Sequence, residues 1–283
     1  WHDTKDLSQA TTLSRRRRLS HAVWKRSAAV PENRPADGAC TDESIIEKII
    51  NSLDVENYET VLEIGPGLGA LTIPLKKRAK RMIAVEADRD MASILSKELK
   101  DSENITLINE PFEHWNHDGL DTTNLLVVGN LPYNLTTKLL ELTTQIGAKT
   151  LGFMLQKEVA DKLKYIPNNP ENSALSAYLA LLGDAQIITY VPRGDFYPIP
   201  KVDSAFIKID IKNNVDFKIY KELKKIYLNP NKTIHNNVKN GYPKEVLEAI
   251  EKALPDLVNK RARQLSVEET KIIGEKLADL DIL

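Results

Sequence analysis

From Thr41 onward the chain alternates short apolar runs with amphipathic stretches, and this alternation restricts the fold more than any other feature. Ile45, Ile46, Ile49, Ile50 and Leu53 fall on one face at helical spacing. Strands are predicted at 59–64, 81–85, 105–108, 125–129 and 151–155, with helices through Leu71 and Leu75, over 91–99 and from Thr136. Apolar strands that alternate with helices pack as a parallel sheet covered on both faces. Two later β-rich stretches, 185–191 and 204–211, complete the sheet as an antiparallel hairpin at its edge. After Asn213 the pattern turns helical, at 220–227, 244–254 and 266–277. The expectation is an α/β domain over residues 41–212 followed by a small helical domain over 213–283.

Residues 1–40 do not share this order. They hold two of the three Trp, the block Arg15-Arg16-Arg17-Arg18 and scattered Ser, Ala and Pro, with no sustained period. They read as an irregular basic leader: an RNA-binding arm, an Arg/Ser-rich targeting peptide or a disordered extension. The net charge of −1 hides a gradient, about +4 over 1–40, about −8 over 41–200 and about +3 over 201–283. A basic end beside an acidic body is compatible with a nucleic-acid partner held at one end. The single cysteine, Cys40, excludes an internal disulfide framework and points to a reducing, cytoplasmic setting. The His and Cys residues show no ligand spacing, so no metal is called for. No apolar run reaches the roughly 18 residues of a membrane span.

Four stretches carry chemistry. The first is Glu63-Ile64-Gly65-Pro66-Gly67-Leu68-Gly69, at the end of a strand and the mouth of a helix. Glycines there let backbone approach a ligand, and the helix N-terminus offers amides. A dinucleotide fingerprint would space its glycines G-x-G-x-x-G. Here they alternate, Ala70 stands at the third position, and Pro66 removes an amide that a phosphate would use. With Glu63 just ahead, the loop suits the methionine end of S-adenosylmethionine. The second is Glu86, about twenty residues on, where a carboxylate accepts from both hydroxyls of an adenosine ribose.

The third stretch, Gly129-Asn130-Leu131-Pro132-Tyr133, follows an apolar strand. The exocyclic nitrogen of adenine is a poor nucleophile because its lone pair is delocalised into the ring. Acceptors for both amine hydrogens pull it toward tetrahedral geometry and aim the lone pair at a methyl donor. The Asn130 side-chain carbonyl and the Leu131 backbone carbonyl suit that task, Pro132 stiffens the loop, and Tyr133 offers a ring to the flipped base. The fourth is Phe196-Tyr197-Pro198-Ile199-Pro200-Lys201-Val202-Asp203-Ser204, a rigid loop before a strand, in which Phe196 is expected to close the other side of the base pocket.

These residues resemble the ribosomal-RNA adenine dimethyltransferases, the kasugamycin-resistance type with its archaeal and eukaryotic relatives. The resemblance runs from about Thr41 to the C-terminus. It extends through Met154-Leu155-Gln156-Lys157-Glu158-Val159, the stretch Phe196–Ala205, Asn231-Lys232-Thr233-Ile234-His235-Asn236-Asn237 and Lys260-Arg261-Ala262-Arg263-Gln264-Leu265-Ser266. It implies a Rossmann-like class I methyltransferase sheet with helices on both faces, S-adenosylmethionine as cofactor, and small-subunit ribosomal RNA as partner. It further implies dimethylation of two neighbouring adenosines during ribosome assembly; separately, the protein is expected to be a monomer. By the same match Gly65, Gly67, Glu86 and Asn130 contact the cofactor or the reacting amine, and Tyr133 and Phe196 contact the base. In the helical part, Lys221, Lys224, Lys225, Lys232, Lys239, Lys260, Arg261 and Arg263 are the candidates for phosphate contact.

Two departures stand out. The family carries a Gly-Gln-Asn/His-Phe-Leu segment before its first helix, where this chain has Ala36-Asp37-Gly38-Ala39-Cys40. After the third strand the family has an Asp toward the cofactor's adenine; here Glu110 stands instead. The first departure motivates a reading from another class, a non-catalytic RNA-binding assembly or transcription factor on the same fold. A large-subunit ribosomal RNA adenine methyltransferase is a third reading. A dehydrogenase is remote, because no hydride-transfer constellation accompanies the Gly loop.

Overall fold

The structure is a computed structural model that describes residues 38–132 and 135–280. Of the basic leader only Gly38, Ala39 and Cys40 fall within it; the others, and Tyr133, lie outside the described residues. The first elements are β1 (Ala39–Cys40), α1 (Glu43–Ser52), β2 (Thr60–Ile64), α2 (Thr72–Lys76), β3 (Met82–Val85), α3 (Arg89–Leu99) and β4 (Ile105–Ile108). They are followed by β5 (Leu125–Asn130), α4 (Thr136–Thr143), β6 (Thr150–Gln156), α5 (Lys157–Leu163) and α6 (Ala174–Leu182). Then come β7 (Gly183–Val191), β8 (Phe196–Tyr197), β9 (Ser204–Ile211), α7 (Phe217–Ile226), α8 (Ile234–Gly241), α9 (Lys244–Ala253) and α10 (Val267–Leu280).

The main sheet has the strand order β4-β3-β2-β5-β6-β9-β7. β2 runs parallel to both β3 and β5, β3 to β4, and β5 to β6. The chain winds outward from β2 to β4, then returns to start again at β5. The direction of winding therefore reverses between β2 and β5, and in open α/β sheets ligands bind at the carboxyl ends beside such a switch point. β2 and β5 are buried throughout except for half-buried Asn130. Strands covered on both faces read as near-continuous apolar runs, so Glu63 stands out in β2 as its single charge.

The described chain forms two compact units. The first comprises residues 38–157 with Ile187–Lys208. Its core packs Ile49, Ile50 and Leu53 against Val61, Leu75, Met82, Leu126, Val128 and Phe206. Asp42 caps α1 by accepting from the Ser44 and Ile45 amides at 2.9 and 3.3 Å, and Asp88 caps α3 through the Asp90 and Met91 amides at 2.9 and 3.1 Å.

The second unit joins Glu158–Gln186 to residues 209–280. A boundary at 212 does not describe this division, because α6 carries apolar side chains all round and buries them within the helical unit. Tyr178 of α6 meets Phe217 and Tyr220 at ring separations of 6.0 and 5.1 Å and donates its hydroxyl to the Val215 carbonyl at 3.0 Å. Nor does an irregular leader ending at residue 40 hold for its last residues. β1 pairs antiparallel with β8, Ala39 opposite Tyr197 and Cys40 opposite Phe196. Thr41 extends the contact by donating its amide, at 2.7 Å, and its hydroxyl, at 3.0 Å, to the Asp195 carbonyl.

Candidate active site

The carboxyl ends of β2, β3 and β5 enclose a cleft whose lining includes Glu63, Gly65, Gly67, Glu86, Asn130 and Phe196. Each arrives for a local reason. The loop after β2 turns through Gly65 and Gly67, both at positive φ (66° and 54°), a conformation that side chains other than glycine adopt only with strain. The turn is closed by the Gly69 amide donating to the Pro66 carbonyl at 2.8 Å.

Glu86 stands just past β3 and is 7% exposed. One carboxylate oxygen accepts from the Gly67 amide and the other from the Asp88 amide, both at 2.8 Å. Burial raises the Glu86 pKa, while the Asp88 and Gly67 amides pull it down. Asn109, which sequence reasoning did not single out, donates its side-chain amide to the Glu86 carbonyl at 2.8 Å and ties the ends of β3 and β4 together. Glu63 is 1% exposed, and its Oε2 has no hydrogen-bond partner among the described residues. Burial pushes its carboxyl up to about 8, the Thr72 hydroxyl acts the other way, and the charge of Glu86 adds to the rise.

Asn130 ends β5, and its side-chain Nδ2 donates to the Gly38 carbonyl at 3.2 Å. That bond settles which way the amide faces and leaves Oδ1 as the acceptor. Leu131 is fully buried, and its amide donates to the Met154 carbonyl at 3.2 Å. Its side chain is therefore an anchor, and only its main chain is available for chemistry. The Pro132 carbonyl accepts from the Leu135 amide and the Thr136 hydroxyl, each at 3.0 Å, which fixes the start of α4.

Gly38 entered the sequence reading only as part of the departing stretch 36–40, with no role of its own. A Cβ there would lie 2.1 Å from the Pro198 carbonyl oxygen and 2.9 Å from the Phe196 Cβ. Two residues of strand carry no period, so the resemblance pointed to the stretch while the hydrophobic pattern did not. Gly38→Ala is expected to force the Phe196–Pro198 loop outward, destabilise the protein by about 1–3 kcal/mol and loosen Asn130. A thermal melt together with a methyl-transfer assay checks this; an unchanged melt and unchanged transfer would remove Gly38 from its role.

Not every predicted residue gathers here. Phe196 lines the cleft yet is 3% exposed and packs into the core, so it acts as a wall. Glu110 lies in the loop after β4 and is not among the residues lining the cleft. Cys40 lines it, but burial pushes the thiol up to about 11 and keeps it protonated at neutral pH.

The basic candidates all belong to the helical unit and divide by what they touch. Lys225 pairs with Glu222 at 3.2 Å and sits 4.4 Å from the Tyr242 ring. Lys260 pairs with Glu269 at 2.5 Å, and Arg263 donates to the Asn168 carbonyl at 2.8 Å. Arg261 is exposed and also reaches the Asn231 carbonyl. Lys221, Lys232 and Lys239 are exposed, as is Lys224, which lies 5.0 Å from the Tyr220 ring. Among the described residues no group of three or more His, Cys, Asp or Glu is placed to hold a metal ion, and no helix is long and apolar enough to cross a membrane.

The electrostatic character of the cleft follows from its lining. Two carboxyl groups face it, and no Lys, Arg or His lines it among the described residues. Such a lining offers acceptors to a ligand that carries positive charge, which favours the ionised carboxylates. S-adenosylmethionine, with a sulfonium and an ammonium group, fits this donor set.

Comparison with known proteins bears on the same conclusion. "Ribosomal RNA small subunit methyltransferase A" of Clostridium botulinum is 34% identical over 253 residues, covering 84% of this chain and 91% of that one. The protein of the same name from Mycoplasmopsis pulmonis is 40% identical over 206 residues, covering 70% and 79%. In fold, the chain is similar to a dimethyladenosine transferase from Plasmodium falciparum, with a TM-score of 0.71 at 23% identity over 85% of this chain and 96% of that one. It is also similar to the 23S rRNA methyltransferase ErmE, with a TM-score of 0.62 at 22% identity over 84% and 98%. With these likenesses the chain has a Rossmann-like class I methyltransferase fold with a C-terminal helical extension. The family model for ribosomal RNA adenine dimethylase matches residues 39–275, so nearly all of the described chain is accounted for and the chain belongs to that family.

Proposed function

We propose that this protein transfers methyl groups from S-adenosylmethionine to the N6 amines of two adjacent adenosines in small-subunit ribosomal RNA, two to each, during ribosome assembly. The observation that carries the reading is the held amide of Asn130. Its Nδ2 is occupied by the Gly38 carbonyl, and its Oδ1 is left as an acceptor in a cleft that favours cationic ligands.

S-adenosylmethionine supplies a methyl group made electrophilic by its sulfonium. The chain's own residues bind and align. Each oxygen of Glu86 accepts one backbone N–H and retains a lone pair for a ribose hydroxyl. Glu63 offers to an ammonium group an oxygen that has no partner among the described residues. Asn130 Oδ1 and the Leu131 carbonyl accept the two hydrogens of the target amine and turn its lone pair toward the methyl donor. Phe196 walls one side of the base, and Tyr133 is assigned the other. The amine sheds one proton to solvent for each methyl gained, so no strong base is required of the site. Rate enhancement then comes from alignment and fixed dipoles. Glu110 is the longer carboxylate for the adenine of the cofactor. The reading also keeps the protein a monomer and places it in the cytoplasm with the assembling subunit.

Phosphate contact is assigned to the helical unit, chiefly to Lys221, Lys224, Lys232, Lys239 and Arg261, with Lys225, Lys260 and Arg263 also holding the unit's own structure. Reversing Lys221, Lys232 and Lys239 to Glu together is expected to weaken RNA binding and to lower the slope of log affinity against log salt by about 2. An unchanged slope would withdraw these three.

The test of function is methyl transfer from labelled cofactor to undermethylated small subunits, with the product nucleoside identified. Dimethyladenosine at adjacent positions supports the reading. Cofactor binding without transfer would point to another RNA, and absence of both would favour a non-catalytic factor.

A further inference from the structure

The stretch Met154–Val159 and the loop before β9 carry residues that the reaction does not use. Lys157 begins α5 directly after β6, and its Nζ stands 4.9 Å from the centre of the Tyr190 ring, near the end of the edge strand β7. Asp203 joins this pair to the loop. Its carbonyl accepts from the Lys157 amide and its carboxylate from the Arg193 amide, both at 2.9 Å. The Arg193 guanidinium in turn reaches the Lys201 carbonyl at 3.4 Å. Lys157, Arg193 and Lys201 are all exposed, and Glu158, Asp195 and Asp203 are acids close to them in sequence.

The same segments carry large side chains that stay partly exposed. Tyr190 is 49% exposed, Tyr197 43% and Ile199 67%. Rings interleaved with cations form a platform for single-stranded nucleic acid: the rings stack bases and the cations neutralise phosphates. The platform adjoins the cleft through Tyr197, which lines it. A target adenosine drawn into the cleft leaves its neighbours at the rim, unstacked from their own strand and in need of a new surface.

We propose that Tyr190, Tyr197, Lys157, Arg193 and Lys201 form a second RNA-contact surface, which stacks and neutralises the single-stranded nucleotides flanking the adenosine in the cleft. The proposal rests on the RNA-methylating reading for its substrate, and it adds a contact on the catalytic unit to those assigned to the helical one.

The test uses the full chain with S-adenosylmethionine and a protein-free, single-stranded RNA of about twenty nucleotides containing two adjacent adenosines. Tyr190→Ala is expected to bind this RNA about ten-fold more weakly, the size of one lost base stack, with cofactor affinity and thermal midpoint unchanged. Tyr190→Phe keeps the ring and is expected to bind like the parent. Lys157→Ala is expected to weaken binding and to lower the salt slope by about 0.7, as for one phosphate contact on a single strand. Unchanged affinity in Tyr190→Ala overturns the proposal. So does weaker binding to whole small subunits with unchanged binding to the naked RNA, which would mark a protein partner instead. If the parent binds RNA but methylates none, the catalytic reading fails while the Tyr190→Ala ratio still decides the surface; if it binds no RNA, both fall.

Discussion

Asn130→Ala is expected to reduce methyl transfer by at least about 10²–10³-fold, the usual loss when one oriented dipole is removed from a reacting centre. The fold should persist, because Asn130 ends its strand and its backbone stays paired with Met154 across β5 and β6. Cofactor affinity should fall far less than turnover, since Glu63, Glu86 and the Gly loop remain. Asn130→Asp separates the two halves of the amide. It keeps an acceptor but cannot donate to the Gly38 carbonyl, so the acceptor is no longer held. Its turnover should lie between those of the parent and the Ala variant. Single-turnover kinetics with a parallel cofactor titration read both effects. Near-normal turnover in Asn130→Ala would take the residue out of the reaction.

The second large effect concerns Glu63. A carboxyl that ionises near pH 4.5 in the unfolded chain and near 8 in the fold binds its proton more tightly when folded. Stability therefore falls as pH rises from the unfolded pKa through the folded one, and below pH 4.5 the penalty is absent. Each pH step between the two values costs about 1.4 kcal/mol, so the ligand-free protein at pH 8 carries a penalty on the order of 4 kcal/mol from this side chain. Glu63→Gln keeps the shape and discards the charge. Its ligand-free form is expected to melt higher than the parent at pH 8, to match it near pH 5, and to show a flatter profile between. An ammonium group placed against Glu63 would restore the charged form. Binding of S-adenosylmethionine near pH 7 should then release close to one proton in the parent and none in the variant. Calorimetry in buffers of different ionisation enthalpy counts those protons. Equal release from both proteins would show that Glu63 does not face the ammonium.

Much of this site could be read before any fold was known, because its parts occupy equivalent places. Gly65, Glu86 and Asn130 each follow an apolar run directly, and the ends of parallel strands converge at a switch point. What stayed hidden had no period to reveal it. Ala39–Cys40 is too short to alternate, and α6 is apolar on every side, so its spacing does not distinguish a helix from a buried strand. The partners of the basic residues divide in the same way. Glu222 lies one helical turn before Lys225 and was visible in the sequence, whereas Glu269 reaches Lys260 only because the chain folds back at the start of α10.

By itself, then, the sequence determined the strands, their parallel winding and the side chains that end them, because hydrophobic period and turn chemistry are local properties. Only the tertiary structure decided that Gly38 holds the amide of Asn130, that Glu63 is buried near Glu86, and that residues 158–186 belong with the helices. Those outcomes depend on which distant surfaces meet. Burial and partner choice, which set the pKa of an acid and the facing of an amide, are properties of the packed chain.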